Sequence, residues 1–262
     1  LEFGLPLASA GKCLLSAEDD LRREISLLAE LEIGSLQVSL GPYPSVISGY
    51  PAMARLLARR PKITVAVRVA GWREVAHQVA AREVDLGLAE LSGVQADDQF
   101  ATEVVGQHHG RIFCRPGHPI LASGRAALPA LLEFPWMASQ IPERIAAGLP
   151  RALGRAGKID ALTGDFIPAV TIDVPMQLAD LLAGSDTLAL ASLALMERDL
   201  DAGKVAVVPT SKIAVQASYG FIYLKDRSLT PAALAYMEEV RAVEAGIVRR
   251  EAALAARYGD RL

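Results

Sequence analysis

The densest cluster of metal-ligand types in the chain is His108-His109 with Cys114 and His118. Neighbouring residues on a strand point to opposite faces, so His108 and His109 are poorly placed to share an ion. No carboxylate or second cysteine stands at zinc spacing, and these histidines read as ordinary surface or hairpin residues. Gly154-Arg155-Ala156-Gly157-Lys158 lacks both the spacing and the following Ser/Thr of a phosphate-cradling loop. No GxGxxG follows a strand and no GxSxG nucleophile elbow occurs. Hence no catalytic residue, metal or cofactor is nominated. Arg55, Arg59, Arg60, Lys62, Arg68 and Arg73 run without an intervening acid, which reads as a polyanion patch or, more simply, as a helix's solvated face plus a strand.

One set of turns has the makings of a binding site. Gly41-Pro42-Tyr43-Pro44-Ser45 joins a strand to a helix start, and in open α/β sheets ligands bind at the carboxyl ends of strands, where helix N-termini present free N–H groups. Gly71-Trp72, Glu90-Leu91, Ser139-Gln140 and Val174-Pro175-Met176 can face the same crevice. The candidate effector-binding residues are therefore Gly41, Tyr43, Ser45, Trp72, Glu90, Ser139, Gln140, Pro175 and Met176. Ser45 and Ser139 read equally well as plain helix caps. Helix starts converging on one gap favour an anion or polarised carbonyl over a cation, so a small carboxylate or aromatic acid suits these groups, as do many other metabolites.

The elements that must position these turns alternate. Leu36–Leu40 has the period of a strand, a helix follows to Arg59, Ile63–Val69 is strand-like, and Gly71 opens a helix carrying Val75 and Val79. Val84–Ala89 is a third strand. This βαβαβ order implies a parallel sheet with right-handed crossovers. Further strands are expected at Thr102–Val105, Gly110–Arg115, Trp136–Ala138, Ala169–Asp173, Thr187–Ala191, Val205–Val208 and Ile213–Leu224. Helices are expected at Leu128–Glu133, Pro142–Arg155, Pro175–Ala183, Ser192–Asp199 and from Thr230 to about Tyr258. Ahead of all this, Leu14, Leu15, Leu21, Ile25 and Leu28 form the apolar stripe of a long helix over Ser9–Leu31, which needs a partner: the body of the protein or a second copy of itself.

Composition sets the outer bounds. The 262 residues are 52% hydrophobic and 22% charged, which excludes a disordered chain. The longest nearly apolar stretch, Thr187–Met196, is about half of the ~20 residues that cross a bilayer. A net charge of -3 argues against a basic nucleic-acid wrapper, and 2 cysteines against a disulfide framework, so a cytoplasmic location is expected. The chain opens on Leu1 in mid-pattern with no signal-peptide character, so a preceding segment is expected to be missing.

Six short motifs, in order along the chain, resemble those of the LysR-type transcriptional regulators. Leu7-Ala8-Ser9-Ala10-Gly11-Lys12-Cys13-Leu14-Leu15 is similar to "LTxAGxxLL", which leaves the family's DNA-binding wing and opens its linker helix. Gly34–Val38 resembles the "GxLxI" start of the effector-binding region, and Arg60–Val65 resembles "xPxVxL". Arg82–Leu88 resembles "xGxLDLAI", Arg115–Ala122 "xPxxHPLA", and Phe134–Met137 "xPWI". Ala8, Ser39 and Arg82-Glu83 depart from the usual Thr, Gly and Gly-containing turn, and the Gly41–Pro44 loop is unusual.

The resemblance implies two Rossmann-like lobes of the periplasmic-binding-protein type, preceded by a long linker helix. Residues 1–33 would be the end of a winged-helix region and the linker or dimerisation helix. Residues 34–91 plus 217–262 would form effector-binding lobe I, and residues 92–216 lobe II, with Val84–Leu91 and Ile213–Phe221 as crossing strands. It further implies a small-molecule effector between the lobes, DNA contact through the missing N-terminal region, self-association as a dimer or tetramer, and no membrane partner. The main rival, a solute-binding protein of a transport system, shares the bilobal fold; a second is an α/β enzyme using Glu90 or His118, which no nucleophile–base constellation supports.

Overall fold

The computed structural model describes residues 34–173, 175–210 and 215–259. The linker helix expected over Ser9–Leu31 and the first residues of the strand expected from Ile213 lie outside them. Strands β1 (Ser35–Leu40), β2 (Thr64–Val69), β3 (Leu86–Glu90), β4 (Phe100–His109) and β12 (Gln216–Leu224) form one sheet in the order β2-β1-β3-β12-β4. β1 pairs parallel with β2 and β3, while β12 runs antiparallel to β3 and β4. The second sheet is β11-β5-β10-β6-β9, built from β5 (Arg111–Cys114), β6 (Trp136–Ala138), β9 (Val170–Thr171), β10 (Leu188–Ala191) and β11 (Ala206–Val207). β7 (Gly157–Ile159) and β8 (Phe166–Pro168) make a separate hairpin. The two sheets are the two lobes anticipated above.

Helices cover both sheets. In the first lobe α1 (Tyr50–Arg59) and α7 (Pro231–Leu254) lie on one face, and α2 (Trp72–Ala80) lies on the other. β1 and β3 are therefore buried on both faces, and Leu36, Val38, Leu40, Leu86 and Leu88 are all fully inaccessible. Their burial explains why the period-two alternation of β1 fades after Gln37 into three consecutive buried residues. Thr230 caps α7 by accepting from the Ala233 N–H at 3.1 Å, with Pro231 at the first helical position. In the second lobe, α3 (Leu128–Leu131) and α4 (Glu143–Ala146) flank a core centred on Trp136 and Phe166, while α5 (Leu178–Ala183) and α6 (Leu193–Asp201) pack a second cluster around Phe113 and Met137. The Trp136 indole N–H donates to the Leu131 carbonyl at 2.9 Å. Trp136→Phe removes only that bond and a small volume; a loss of about 1–2 kcal/mol in urea melts is expected.

Three expectations need correction. The helix over Pro142–Arg155 shrinks to Glu143–Ala146, because Gly148, Pro150 and the left-handed Gly154 (φ 54) cannot continue it. The crossing into the second lobe is not at Val84–Leu91, which stays within the first sheet. β4 instead continues through His108-His109, pairs with β12 across a bulge at Val105, and passes into β5 at Gly110. The return crossing lies beside it, where the Gly110 N–H donates to the Val215 carbonyl at 2.8 Å. β4, placed above in the second lobe, is thus an edge strand of the first. Finally, α7 does not stay on lobe I: its last residue Leu254, and Tyr258 in the turn Ala255–Gly259 that follows, pack with Phe113, Leu193 and Met196 of the second lobe.

Candidate functional site

A cavity of about 400 Å³ lies between the two sheets, beside the paired crossings. Size alone puts it among small-molecule sites, which span roughly 300–1,000 Å³. Gly41–Pro44 and Ile47 line it from the end of β1, with Gly71–Glu74 from the start of α2 and Glu90 from the end of β3. The second lobe contributes Ala138–Pro142 from the end of β6, Thr171 and Asp173 from the end of β9, and Leu190–Ser192 from the end of β10. His108, Gly110, Val215, Ala217 and Tyr219 close it along the crossing strands. Strand ends on a parallel sheet present helix starts to the same gap, which is why segments far apart in sequence meet here.

Of the nine candidate residues, Gly41, Tyr43, Trp72, Glu90, Ser139 and Gln140 come together on this wall. Ser45 does not. It is 2% exposed, and its hydroxyl donates back to the Pro42 carbonyl at 2.7 Å, so it neither caps the helix nor faces the gap. Pro175 is buried in a 3-10 turn, Pro175–Gln177, away from the wall. Met176 shares that turn, and its side chain lies outside what the structure describes. The convergence of N–H-bearing helix starts expected from sequence is accordingly thinner. Pro42 and Pro44 have no N–H, and the Ser45 N–H is taken by the Gly41 carbonyl at 2.9 Å.

Polar groups tie the lobes across the cavity. The Tyr43 hydroxyl donates to the Leu190 carbonyl at 2.9 Å and lies 3.4 Å from the Ser139 N–H. Burial raises that phenol to about 12, partly offset by Ser139. Arg73 donates to Asp165 at 2.6 Å; this carboxylate, 1% exposed, also accepts from Gln140 Nε2 at 2.9 Å and the Glu143 N–H at 3.0 Å. Arg144 reaches Glu90 at 2.8 Å and the Ser92 hydroxyl at 2.8 Å. Two ion pairs thus clasp lobe I to lobe II.

A third network sits at the crossings. His108 Nδ1 is 2.9 Å from Glu251 and Nε2 is 3.3 Å from Glu244, both on α7. Tyr219 stacks on the imidazole at 5.3 Å and donates to Glu244, and Ser48 Oγ lies 3.2 Å from the Tyr219 hydroxyl. Burial alone would depress His108, but the two carboxylates outweigh it and hold the imidazolium up to about 9. His108, expected as a surface or hairpin histidine, is buried here; Arg73, expected only within a basic run, and Asp165 and Arg144, which no sequence motif marks, form the ion pairs between the lobes. The overlooked signal for His108 lay in its strand: once β4 is continued to His109, Gly106 and His108 fall on the inward face.

The remaining chemistry-bearing residues have other roles. His118 is 1% exposed and caps the turn Pro119–Ser123, its Nδ1 accepting from the Ile120 N–H at 3.0 Å. Cys114 is buried, which pushes its thiol up to about 12. The basic run is broken up by pairing: Arg55 and Arg59 hold the buried Glu239 at 2.9 and 2.5 Å, and Arg68 meets Glu83 at 3.0 Å. Gly93 packs under Trp72, where an added Cβ would fall 2.2 Å from the indole. Gly93→Ala should therefore move Trp72 and change its fluorescence while costing about 1–2 kcal/mol in stability.

Residues 29–245 match the family described as LysR substrate binding domain. The chain is 29% identical over 224 residues to an SDS degradation transcriptional activation protein of Pseudomonas sp. (strain ATCC 19151), covering 84% of this chain and 70% of that protein. It is 24% identical over 251 residues to the HTH-type transcriptional regulator GbpR of Azospirillum brasilense, covering 95% and 71%. Among solved structures, the regulatory domain of MetR, a LysR family regulator from N. meningitidis, superimposes with a TM-score of 0.62 at 12% identity, over 81% of this chain and 95% of that one. The effector domain of AmpR from Pseudomonas aeruginosa gives 0.59 at 18% identity, over 83% and 98%.

Proposed function

The chain belongs to the LysR substrate-binding domain family, and on that premise we propose that it is the sensing part of a transcriptional regulator, switched by a small molecule held between its two lobes. The observation that carries this is the inter-lobe cavity, walled by strand ends of both sheets and closed by the paired crossings at Gly110 and Val215. A ligand shifts such a hinge only as far as it binds one lobe arrangement more tightly than the other. The lobes divide near residue 110 and again near residue 215, and α7 bridges them. DNA contact is assigned to the winged helix-turn-helix that regulators of this kind carry, and self-association to residues 1–33 together with the lobes. The role is that of a cytoplasmic sensor and not of a catalyst. The relatives with curated names are regulators, which sets the chain apart from transport solute-binding proteins of similar architecture.

Gly71 supplies the test. It lines the cavity at an ordinary φ of -59, and a Cβ built on it meets nothing within 4 Å. Gly71→Leu should fill the gap while leaving the unfolding midpoint within about 0.5 kcal/mol of wild type. A metabolite panel screened by thermal shift should yield ligands that stabilise the wild type and not Gly71→Leu, and the same ligands should alter promoter output in cells. Ligands that stabilise both proteins equally would place the effector elsewhere.

A further inference from the structure

The charge and hydrocarbon of the cavity wall select among ligands. Arg73 is already held by the buried Asp165 at 2.6 Å and lies 4.0 Å over the Trp72 ring. His108 stands between Glu244 and Glu251. Among the described lining residues, the other basic side chain is the exposed His109. Against these, the wall carries the carboxylates of Glu74 and Asp173, and that of Glu90, which Arg144 holds at 2.8 Å. An incoming anion would therefore lose its water against carboxylates, with no uncommitted guanidinium or ammonium among the described lining residues to replace it.

The turn after β1 does not make up the difference. Pro42 and Pro44 remove two N–H groups from the first helix start, and Ser45 spends its own on Gly41. The first turn of α2 offers the N–H groups of Trp72 and Arg73, which a hydroxyl or carbonyl oxygen satisfies as well as a carboxylate does. Most of the remaining wall is hydrocarbon: Pro44, Ile47 and Trp72 on one side, Ile141, Ile145 and Leu190 on the other.

We propose that the ligand of this cleft is an uncharged, predominantly apolar small molecule with a single hydroxyl or carbonyl end. The proposal rests on the reading of the cavity as the effector site, and it departs from the organic acid that the helix starts suggested in the sequence. Apolar burial supplies the affinity, Trp72 and the isoleucines grip the body, and the α2 start takes the one oxygen.

The chain has 2 tryptophans, and Trp136 is buried in the second-lobe core, so Trp136→Phe leaves Trp72 as a reporter on the cavity wall. In that background, 1-octanol, octanoate and succinate are titrated while tryptophan emission is followed. 1-Octanol should shift the emission and bind about tenfold or more tightly than octanoate, a gap set by the uncompensated charge. Succinate should leave the emission unchanged, and Gly71→Leu should abolish the octanol response. Calorimetry on the unsubstituted chain gives the same ranking should the reporter variant fold poorly. Tighter binding of octanoate, or a response to succinate, overturns the uncharged-ligand proposal and leaves the cavity as an effector site. If no probe perturbs Trp72 or releases heat, both the ligand class and the cavity reading fall.

Discussion

His108→Ala is expected to destabilise the protein by about 3–5 kcal/mol, because it leaves a buried carboxylate without its cation. His108 and Glu244 are 4% and 2% exposed, and Glu244 already accepts the Tyr219 hydroxyl. The imidazolium is raised from 6.5 to about 9 in the folded protein. Its contribution is therefore complete below pH 6.5 and is lost as the pH climbs through 9. Wild-type stability should fall over that window by about 3 kcal/mol, and this part of the fall should vanish in His108→Ala. Urea melts at pH 6 and pH 9.5 on both proteins measure it. A variant losing under about 1 kcal/mol at pH 6 would mean that the carboxylates are hydrated or protonated and that the histidine carries no charge.

The consequence reaches beyond stability, because of where the network lies. β4 carries His108 two residues before the crossing at Gly110, and β12 carries Tyr219 four residues after Val215. α7 supplies both carboxylates, then continues to pack Leu254 into the second lobe, where Arg257 and Tyr258 meet Asp201 at 2.8 and 2.9 Å. The helix thus braces both lobes, and the imidazolium fixes it to the strands at the point where they cross.

What the sequence disclosed and what it hid divide along a physical line. β1 was legible from the alternation of Leu36, Val38 and Leu40 between Gly34 and Gly41, β3 from the apolar Leu86 and Leu88, and β6 from the apolar Trp136–Ala138 after Pro135. The turns at Gly41, Gly71, Glu90 and Ser139 were legible because a parallel sheet puts strand ends on one side. Asp165 was not. It sits in a turn between hairpin strands β7 and β8, and only the folding of that hairpin over Ile141 brings its carboxylate to Arg73, 92 residues away in the chain. The break-up of Pro142–Arg155 into a single helical turn hid the same region. Ser45 failed for a local reason. Its hydroxyl prefers the carbonyl three residues back, an option that period and composition do not reveal.

Removing the Arg73 clasp should separate stability from lobe geometry. Asp165 is 1% exposed and Arg73 52%, so the two sides of the pair are not equivalent. Arg73→Ala strands a buried charge on the two neutral donors of Gln140 and Glu143, and should cost about 2–3 kcal/mol. Asp165→Asn removes the charge itself; Arg73 then swings into water at little cost, and the loss should stay nearer 1 kcal/mol. Both variants sever the same inter-lobe contact, so both should widen the cleft, seen as a larger radius of gyration by small-angle scattering and faster ligand entry. Equal destabilisation by the two would show that hydrogen-bond count, and not the stranded charge, governs this site. Unchanged scattering in both would show that Arg144–Glu90 and the Tyr43–Leu190 bond hold the lobes together without it. In that case the double variant Arg73→Ala, Arg144→Ala should open the cleft where neither single change does, since couplings between two contacts spanning one gap are not additive.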